Sequence, residues 1–499
     1  MRYVLKKRMR RIRYFSAHPH DVQSAVLSQF VNTARQTEWG RIHDFKNIKN
    51  ARQFAQHIPI QDYETLKPYI NRMMHGERDV LWSGQVRWYS KSSGTTNDKS
   101  KYIPVTFQNL KTCHLKGGWD TSALLYQAKP DLQAFGGKML MMGGTYESFV
   151  PYPDTRFGDV SAIMIQHLPS VGNYIYAPNL DIAMMPNFED KIERMAHALV
   201  KEDMRTIGGV PTWTVVLLRR ILEITGKSNI LDIWPNLQVY IHGGVSFTPY
   251  RETFKQLIQK EDFTYWDIYN ASEGFFATQC QHGADDMLLL LNNGVYYEFL
   301  PESEWYAPNP IAIPLKEVEV GKNYAPVITT NAGLWRYVPG DTVLFTSTNP
   351  YKIKISGRTK QFVNAFGEEV MVANTDKALA DTCATLGASV NDYTVAPIYF
   401  DGIKKGGHEW VIEFEREPPD LEAFNTILDT NLQRINSDYE AKRFKDMAME
   451  RLQMRHVPRG TFHSWLKAKG KLGGQHKVPR LANDRQYVEE ILHFIGKRI

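Results

Sequence analysis

The sequence predicts an α/β protein in two parts: a large N-terminal domain of mixed sheets and helices, and a small α+β C-terminal domain. Three observations predict it. The chain has 499 residues, too many for one ordinary core. Strand-like and helix-like patterns alternate through most of its length. After GRTKQ (357–361) the texture changes to short strands, one long helix and a segment rich in glycine and lysine. The boundary falls near Gly357, giving domains of 1–357 and 358–499, the second of a usual domain size.

The elements follow in order. Residues 1–80 read as helical, because VQSAVLSQFVNTARQ and YETLKPYINRMMHGE repeat apolar residues at three-to-four spacing. The first helix is expected to pack Val4, Leu5, Met9 and Ile12 on the body, with its arginines in solvent. Residues 86–106 read as strand, loop, strand, and 107–127 as a helix. GGKMLMMGG (136–144) is a buried strand between glycine pairs. Residues 188–227 read as mostly helical, interrupted by GGVP at 208–211. NLQVYIHGG (236–244) alternates apolar residues and ends in Gly-Gly, as a strand does. A helix (250–260), a short strand (265–269) and a loop (270–274) follow. GVYYEFLP, APVITT and DTVLFTS are strands. In the tail, VAPIYF and WVIEFE are strands, LEAFNTILDTNLQRI is a helix, and a last helix covers 485–497. No repeat or low-complexity segment interrupts this order.

Composition narrows the class. Hydrophobic residues at 43% and aromatics at 12% describe a packed globular chain, not a disordered one. Cys113, Cys280 and Cys383 are too dispersed for a metal ribbon and too few for a disulfide framework. That fits a reducing, cytoplasmic setting. Arg2, Lys6, Lys7, Arg8, Arg10, Arg11 and Arg13 supply seven positive charges of a chain whose net charge is +6, so the remainder carries −1. The body therefore has no nucleic-acid footprint. The basic N-terminus also fits a membrane-surface helix or an organellar presequence, but the spacing of Leu5, Met9 and Ile12 favours packing. No apolar run approaches the roughly 18 residues of a membrane span, and no signal-peptide pattern is present.

Four stretches carry chemistry. KSSGTTNDKSK (91–101) lacks the second glycine of a Walker loop and runs into a strand, so no helix dipole assists it. Hydroxyls of Ser92, Ser93, Thr95 and Thr96, with backbone N–H groups, can still donate to phosphates, and Lys101 can reach a terminal one. A polar surface turn has the same composition. YNASEG (269–274) places a ring, a hydroxyl and a carboxylate together, suited to stacking a base and to holding Mg²⁺ through Glu273. WRYVPGD (335–341) ends in Asp341, suited to accepting ribose hydroxyls, although Gly-Asp is more often simply a turn. HGGVSF (242–247) lets a flat ring approach bare backbone.

Together SSGTT, YNASEG, ITTNAGLWRYVPGD, GR (357–358) and QHKVPR (475–480) stand in the order seen in the adenylate-forming superfamily. More narrowly the chain resembles the acyl-acid amido synthetases, the Gretchen Hagen family of auxin- and jasmonate-conjugating enzymes. GVYYEFLP and QHKVPR are the narrow markers, and the resemblance runs from PIQDYETLKPYI to the C-terminal lysine motif.

The resemblance implies an enzyme that uses ATP and Mg²⁺ to adenylate a carboxylic acid and then passes the acyl group to an amine, usually of an amino acid. It implies that Ser92, Ser93, Gly94, Thr95 and Thr96 cradle the phosphates, with Lys101 as countercharge. Gly243, Gly244 and Tyr269 would flank adenine. Ser272 and Glu273 would face the phosphates and Mg²⁺, Asp341 the ribose, and Arg358 would complete the ATP site. Lys477 would stabilise the transferring phosphate as a mobile cation, its domain turning about Lys360 or Gln361. The acyl pocket would draw on Leu115, Trp119, Ala123, Val245, Phe247 and Phe275. The first three recur at every fourth position and would share a helix face. Trp119 and Phe275 would suit an aromatic acid.

The superfamily often has glycine where this chain has Asn97-Asp98. Both residues tolerate left-handed backbone, and Lys99 and Lys101 can hold the carboxylate outward. A thioester-forming acyl-CoA ligase is the alternative within the superfamily, although no basic pocket is assigned to its 3′-phosphate. A non-catalytic descendant would be expected to lose Lys477, Glu273 or Asp341, and all three are present. The expected assembly is a monomer or weak homodimer. The chain is shorter than expected of plant relatives and its basic N-terminal helix differs, which points to a bacterial member.

Overall fold

The structure is a computed structural model that describes residues 2–93, 100–245, 247, 250–305, 307–359, 362–400, 405–446, 448–469 and 479–496. The side chains of Arg2, Ser93, Val171, Phe188, Thr212 and Ala373 are also outside the description.

An eleven-stranded sheet organises the chain, and its two halves differ in direction. Lys138–Met141, Met204–Gly208, Val239–His242 and Thr264–Ala271 run parallel in that order. Helices Phe188–Leu199, Pro211–Thr225 and Arg251–Leu257 lie on their crossovers, as parallel strands require. The antiparallel half continues through Gly274–Thr278, Met287–Leu289, Tyr351–Arg358, Asp341–Thr348, Asn323–Thr330, Val295–Pro301 and Ile313–Pro314. Thr264–Ala271 is the seam, parallel to one neighbour and antiparallel to the other. The N-terminal helices Arg2–Ala17, Pro19–Ala34 and Tyr63–Met74 share a core with the antiparallel half.

A second sheet of four strands sets Trp88–Ser93 against Ser100–Val105 as an antiparallel hairpin, so the serine-threonine stretch is its connection. Tyr152–Gly158 and Tyr146–Phe149 complete it. Towards the C-terminus, Ser389–Ile398, Gly407–Arg416 and Gln453–Val457 form a three-stranded sheet. The buried side chains of Val372–Leu386 and Leu421–Ile435 join the core of the parallel half. The contact is specific: the Tyr250 hydroxyl donates to the Ala365 carbonyl at 2.5 Å, and the Tyr250 ring lies 6.1 Å from Phe400.

Several sequence expectations are corrected. The 188–227 stretch contains the strand Met204–Gly208, whose Met204 and Ile207 are fully buried. Five residues between two amphipathic helices are too few to show a period of two against one of 3.6. The strand expected at 265–269 runs over Thr264–Ala271, and the expected loop at 270–274 is a tight hairpin into Gly274–Thr278. The helix expected at 250–260 is shorter, Arg251–Leu257. The helix expected at 107–127 contains a π turn at Leu110–His114 before Leu115–Ala128. In the first helix Leu5 and Ile12 are buried, but Val4 is exposed. Nor are all its arginines in solvent: Arg8 pairs with the buried Asp120 at 2.8 Å.

Candidate functional site

A cleft of about 2140 Å³ opens where the four parallel strands end. Open α/β sheets place ligands outside the carboxyl ends of their strands, because the following loops diverge there. Ser92, Lys101, Gly243, Gly244, Tyr269, Ser272, Glu273, Asp341 and Arg358 all line it, drawn from widely separated segments. Gly94, Thr95, Thr96, Asp98, Lys360, Gln361 and Lys477 lie outside the described residues, and Ser93 is described only by its backbone.

Asp341 and Arg358 start and end adjacent antiparallel strands, so they stand opposite each other. The Arg358 Nε donates to one Asp341 carboxylate oxygen at 2.7 Å, and the Tyr269 hydroxyl donates to the other at 2.6 Å. Each oxygen keeps a lone pair for a further donor. Burial, then Asp341, holds the Tyr269 phenol well above its ordinary pKa, so it stays a neutral donor. Its hydroxyl is thus committed to Asp341, while its ring packs edge-on to Phe276 at 4.9 Å. Arg358 also lies 3.5 Å from Glu369 and over the Phe362 ring.

Glu273 sits in the hairpin turn after Thr264–Ala271 and is 8% exposed. Burial pushes its carboxyl up to about 7, against the pull of the Lys101 charge. Ser272 beside it accepts a hydrogen bond from the Ser90 hydroxyl at 2.9 Å. Gly243 is required by its neighbour: a Cβ there would stand 2.4 Å from the Ile268 carbonyl oxygen. Gly244 has φ +83, a conformation that favours glycine.

Of the expected acyl residues, Leu115, Trp119, Val245, Phe247 and Phe275 line the cleft. Phe275 covers Gly117, where a Cβ would meet its ring at 2.3 Å. Trp119 stacks on Phe135 at 6.0 Å and receives the Arg8 guanidinium at 5.7 Å. Phe247 stacks on His242 at 4.0 Å. Ala123 is a correction: it is 1% exposed and belongs to the core, not to the cleft. Steps of four residues advance a helix by more than a full turn, so eight residues rotate the face by about 80°.

The cleft also holds charged residues not expected from the sequence, among them Lys191, Asp159 and Lys442. Lys191 donates to the carbonyls of Gly143 and Gly144 at 2.6 and 3.1 Å, and burial lowers it to about 8. Asp159 is exposed in the cleft and accepts from the Thr145 N–H at 3.2 Å. Lys442 reaches in from the C-terminal helix Ser437–Arg443, with its ammonium over the Trp213 ring at 4.1 Å. No sequence signal marks them, since each stands in a different segment with no motif around it.

Family profiles match most of the chain. A GH3 family N-terminal domain profile matches residues 8–149 and 151–263, a central domain profile 288–358, and a C-terminal domain profile 373–486. The chain is 22% identical to the indole-3-acetic acid-amido synthetase GH3.3 of Arabidopsis thaliana, over 95% of this chain and 91% of that one. It is 21% identical to the 4-substituted benzoates-glutamate ligase GH3.12 of the same plant, over 94% of each. Two solved structures share its fold. An AtGH3.15 acyl acid amido synthetase in complex with 2,4-DB has a TM-score of 0.62 at 17% identity, covering 98% of this chain and 96% of that one. A 2-hydroxyisobutyryl-CoA ligase has a TM-score of 0.60 at 14% identity, covering 96% and 93%.

Proposed function

The chain belongs to the GH3 family, and from that premise we propose that it is an ATP-dependent ligase joining a carboxylic acid to an amino acid through an acyl-adenylate, with release of AMP and pyrophosphate. One observation carries the reading for this chain. Residues matching the ATP motifs, from Ser92 to Arg358, converge on one cleft at the carboxyl ends of the parallel strands.

The reaction asks the protein mainly for positioning and charge. In this reading Asp341, oriented by Tyr269 and Arg358, accepts the ribose hydroxyls. The Ser92 hydroxyl and the Lys101 ammonium meet the phosphates, and Gly243 and Gly244 flank adenine. The attacking carboxylate lies towards Trp119 and Phe275.

Mg²⁺ fits the residues present. Glu273 is a buried carboxylate whose pKa is raised by burial against the pull of Lys101, and Ser272 adds an oxygen donor. Among the described residues no cluster of three or more His, Cys, Asp or Glu could hold a metal alone. That suits an ion held by one carboxylate together with nucleotide phosphates. When bound it would neutralise phosphate charge.

Lys477, with Lys360 or Gln361 as hinge, belongs to the same proposal, as does a division into domains 1–357 and 358–499. The C-terminal part would then be a lid. A cytoplasmic setting, a monomeric or weakly dimeric assembly and a bacterial source complete it. Among the described residues no helix is long and apolar enough to cross a membrane. Lys477→Ala is expected to abolish adenylate formation from acid and ATP while sparing amide formation from a supplied adenylate. Equal loss of both half-reactions would refute the assignment.

A further inference from the structure

One cation of the basic N-terminal helix is turned inward. Leu5, Ile12 and Phe15 are buried on the inner face of Arg2–Ala17, and position 8 continues that stripe at helical spacing, whereas Lys6, Lys7, Arg10, Arg11 and Arg13 are exposed. The Arg8 guanidinium donates to the buried Asp120 at 2.8 Å and lies 5.7 Å from the centre of the Trp119 ring. Asp120 and Trp119 are consecutive on the helix Leu115–Ala128, so one side chain grips the buried face of that helix and also the ring it turns to the cleft. The other Asp120 oxygen accepts from Lys116 at 2.7 Å. Lys116 donates to Asn292 and Asn293 at 2.7 and 3.4 Å, and the buried Asn293 amide donates to the carbonyls of Cys113 and Phe275 at 3.1 and 2.8 Å. A continuous polar chain thus runs behind the cleft wall, from the Trp119 ring to the backbone of Phe275.

Stability alone does not account for Arg8. An apolar side chain there would extend the stripe of Leu5, Ile12 and Phe15 and avoid taking two charges out of water, and replacing such a pair by apolar residues is often neutral or stabilising. Arginine supplies what an aliphatic residue cannot: a planar cation that attracts an indole face while a carboxylate anchors its charge. The Trp119 ring has such a need. It is only partly buried, and its other ring contact is with Phe135 at 6.0 Å. Arg8 itself stands behind the ring, outside the lining of the cleft.

We propose that Arg8 is a positioning residue for the carboxylic acid: anchored on Asp120, it fixes the Trp119 indole as the wall on which the body of the acid packs, and so sets acid selectivity from outside the cleft. The inference rests on the ligase reading above, in which the acid lies towards Trp119 and Phe275. It also gives the N-terminal helix a part in the reaction that its charge pattern does not announce. Arg8 touches neither substrate nor nucleotide in this account. Its effect passes through one ring, so it belongs to the binding of the acid and not to the chemical step.

The test follows ATP–pyrophosphate exchange by the full-length protein with 3-phenylpropionate and with propionate, the same acid without its ring. The parent is expected to show a KM for 3-phenylpropionate about 10-fold or more below that for propionate, as burial of a ring supports. Arg8→Met is expected to narrow that ratio about fivefold, through KM and not through the maximal rate, and Arg8→Lys, which keeps the cation and the pair with Asp120, to recover part of it. Trp119→Ala is expected to narrow the ratio further. Arg8→Met added to Trp119→Ala is then expected to narrow it no more, because the ring through which Arg8 acts is gone. Arg8→Gln, which keeps a donor for Asp120, replaces the methionine variant if that one does not fold. An Arg8 variant with the parent's ratio overturns the inference. So does an equal loss with both acids, the signature of a contact that only holds the fold, and so does a further fall in the Trp119→Ala background. Exchange in the parent that does not favour 3-phenylpropionate overturns the inference alone. No exchange with any acid of a broad panel overturns the ligase reading itself.

Discussion

Glu298 and Glu273 are both buried carboxylates of the eleven-stranded sheet, and they are satisfied in opposite ways. Glu298, inside the strand Val295–Pro301, meets Arg336 through two bonds of 2.9 and 3.0 Å. The same guanidinium donates to the Ala55 and Ile58 carbonyls at 3.0 and 2.7 Å, tying an N-terminal helix to the sheet. Glu273 has no side-chain partner in contact among the described residues, and burial pushes it up to about 7. A closed pair holds the fold, whereas an open carboxylate leaves room for something not built from the chain. Lysines repeat the contrast. Lys191 is bonded to two carbonyls, whereas the Lys442 ammonium lies over the Trp213 ring and makes no hydrogen bond among the described residues.

The contrast breaks most visibly at Glu298. Glu298→Ala leaves a buried guanidinium uncompensated and should cost about 3–5 kcal/mol in chemical denaturation. An unchanged midpoint would show that the pair is not structural. Glu273→Gln should do the reverse. Acid-dependent pyrophosphate exchange should fall by about 10²–10³, the usual loss for one preorganised electrostatic group, while stability holds or rises slightly. A stability loss as large as that at Glu298 would erase the distinction.

Lys191 sharpens it through pH. Its folded pKa is lowered from 10.5 to about 8, so between these values the unfolded chain binds a proton that the folded chain has lost. Stability contributed here therefore rises with pH, by up to about 2 kcal/mol between pH 8 and pH 10. Lys191→Met should remove that rise, read as the difference in denaturation midpoint at the two pH values. The smallest effect belongs to Asp98→Gly, expected to change ATP affinity little. A large gain would show that the carboxylate opposes the triphosphate.

Three strands of the antiparallel half were legible because they are apolar with clear ends, GVYYEFLP, APVITT and DTVLFTS, whereas Gly274–Thr278, Met287–Leu289, Ile313–Pro314 and Tyr351–Arg358 were not. Local motifs also marked one end of the cleft, since Tyr269 to Glu273 and Asp341 carry their chemistry within a few residues. Met204–Gly208 was not legible, because its short period is lost between two helices. Asp159, Lys191 and Lys442 were not either. Their juxtaposition is made by a strand-end loop, a crossover helix and a docked C-terminal helix, and long-range packing of that kind leaves no mark on spacing. The role of Glu298 is half visible in the sequence: GVYYEFLP is a family marker, but the Arg336 pair shows why it needs its glutamate.

ATP–pyrophosphate exchange across a panel of carboxylic acids, followed by mass spectrometry of the same mixtures with amino acids added, decides whether the cleft makes an acyl-adenylate and passes it to an amine. Exchange is expected to depend on one class of acid, and the product to have the mass of that acid plus an amino acid less one water. Background exchange with every acid, or a product that forms only with coenzyme A, would contradict it.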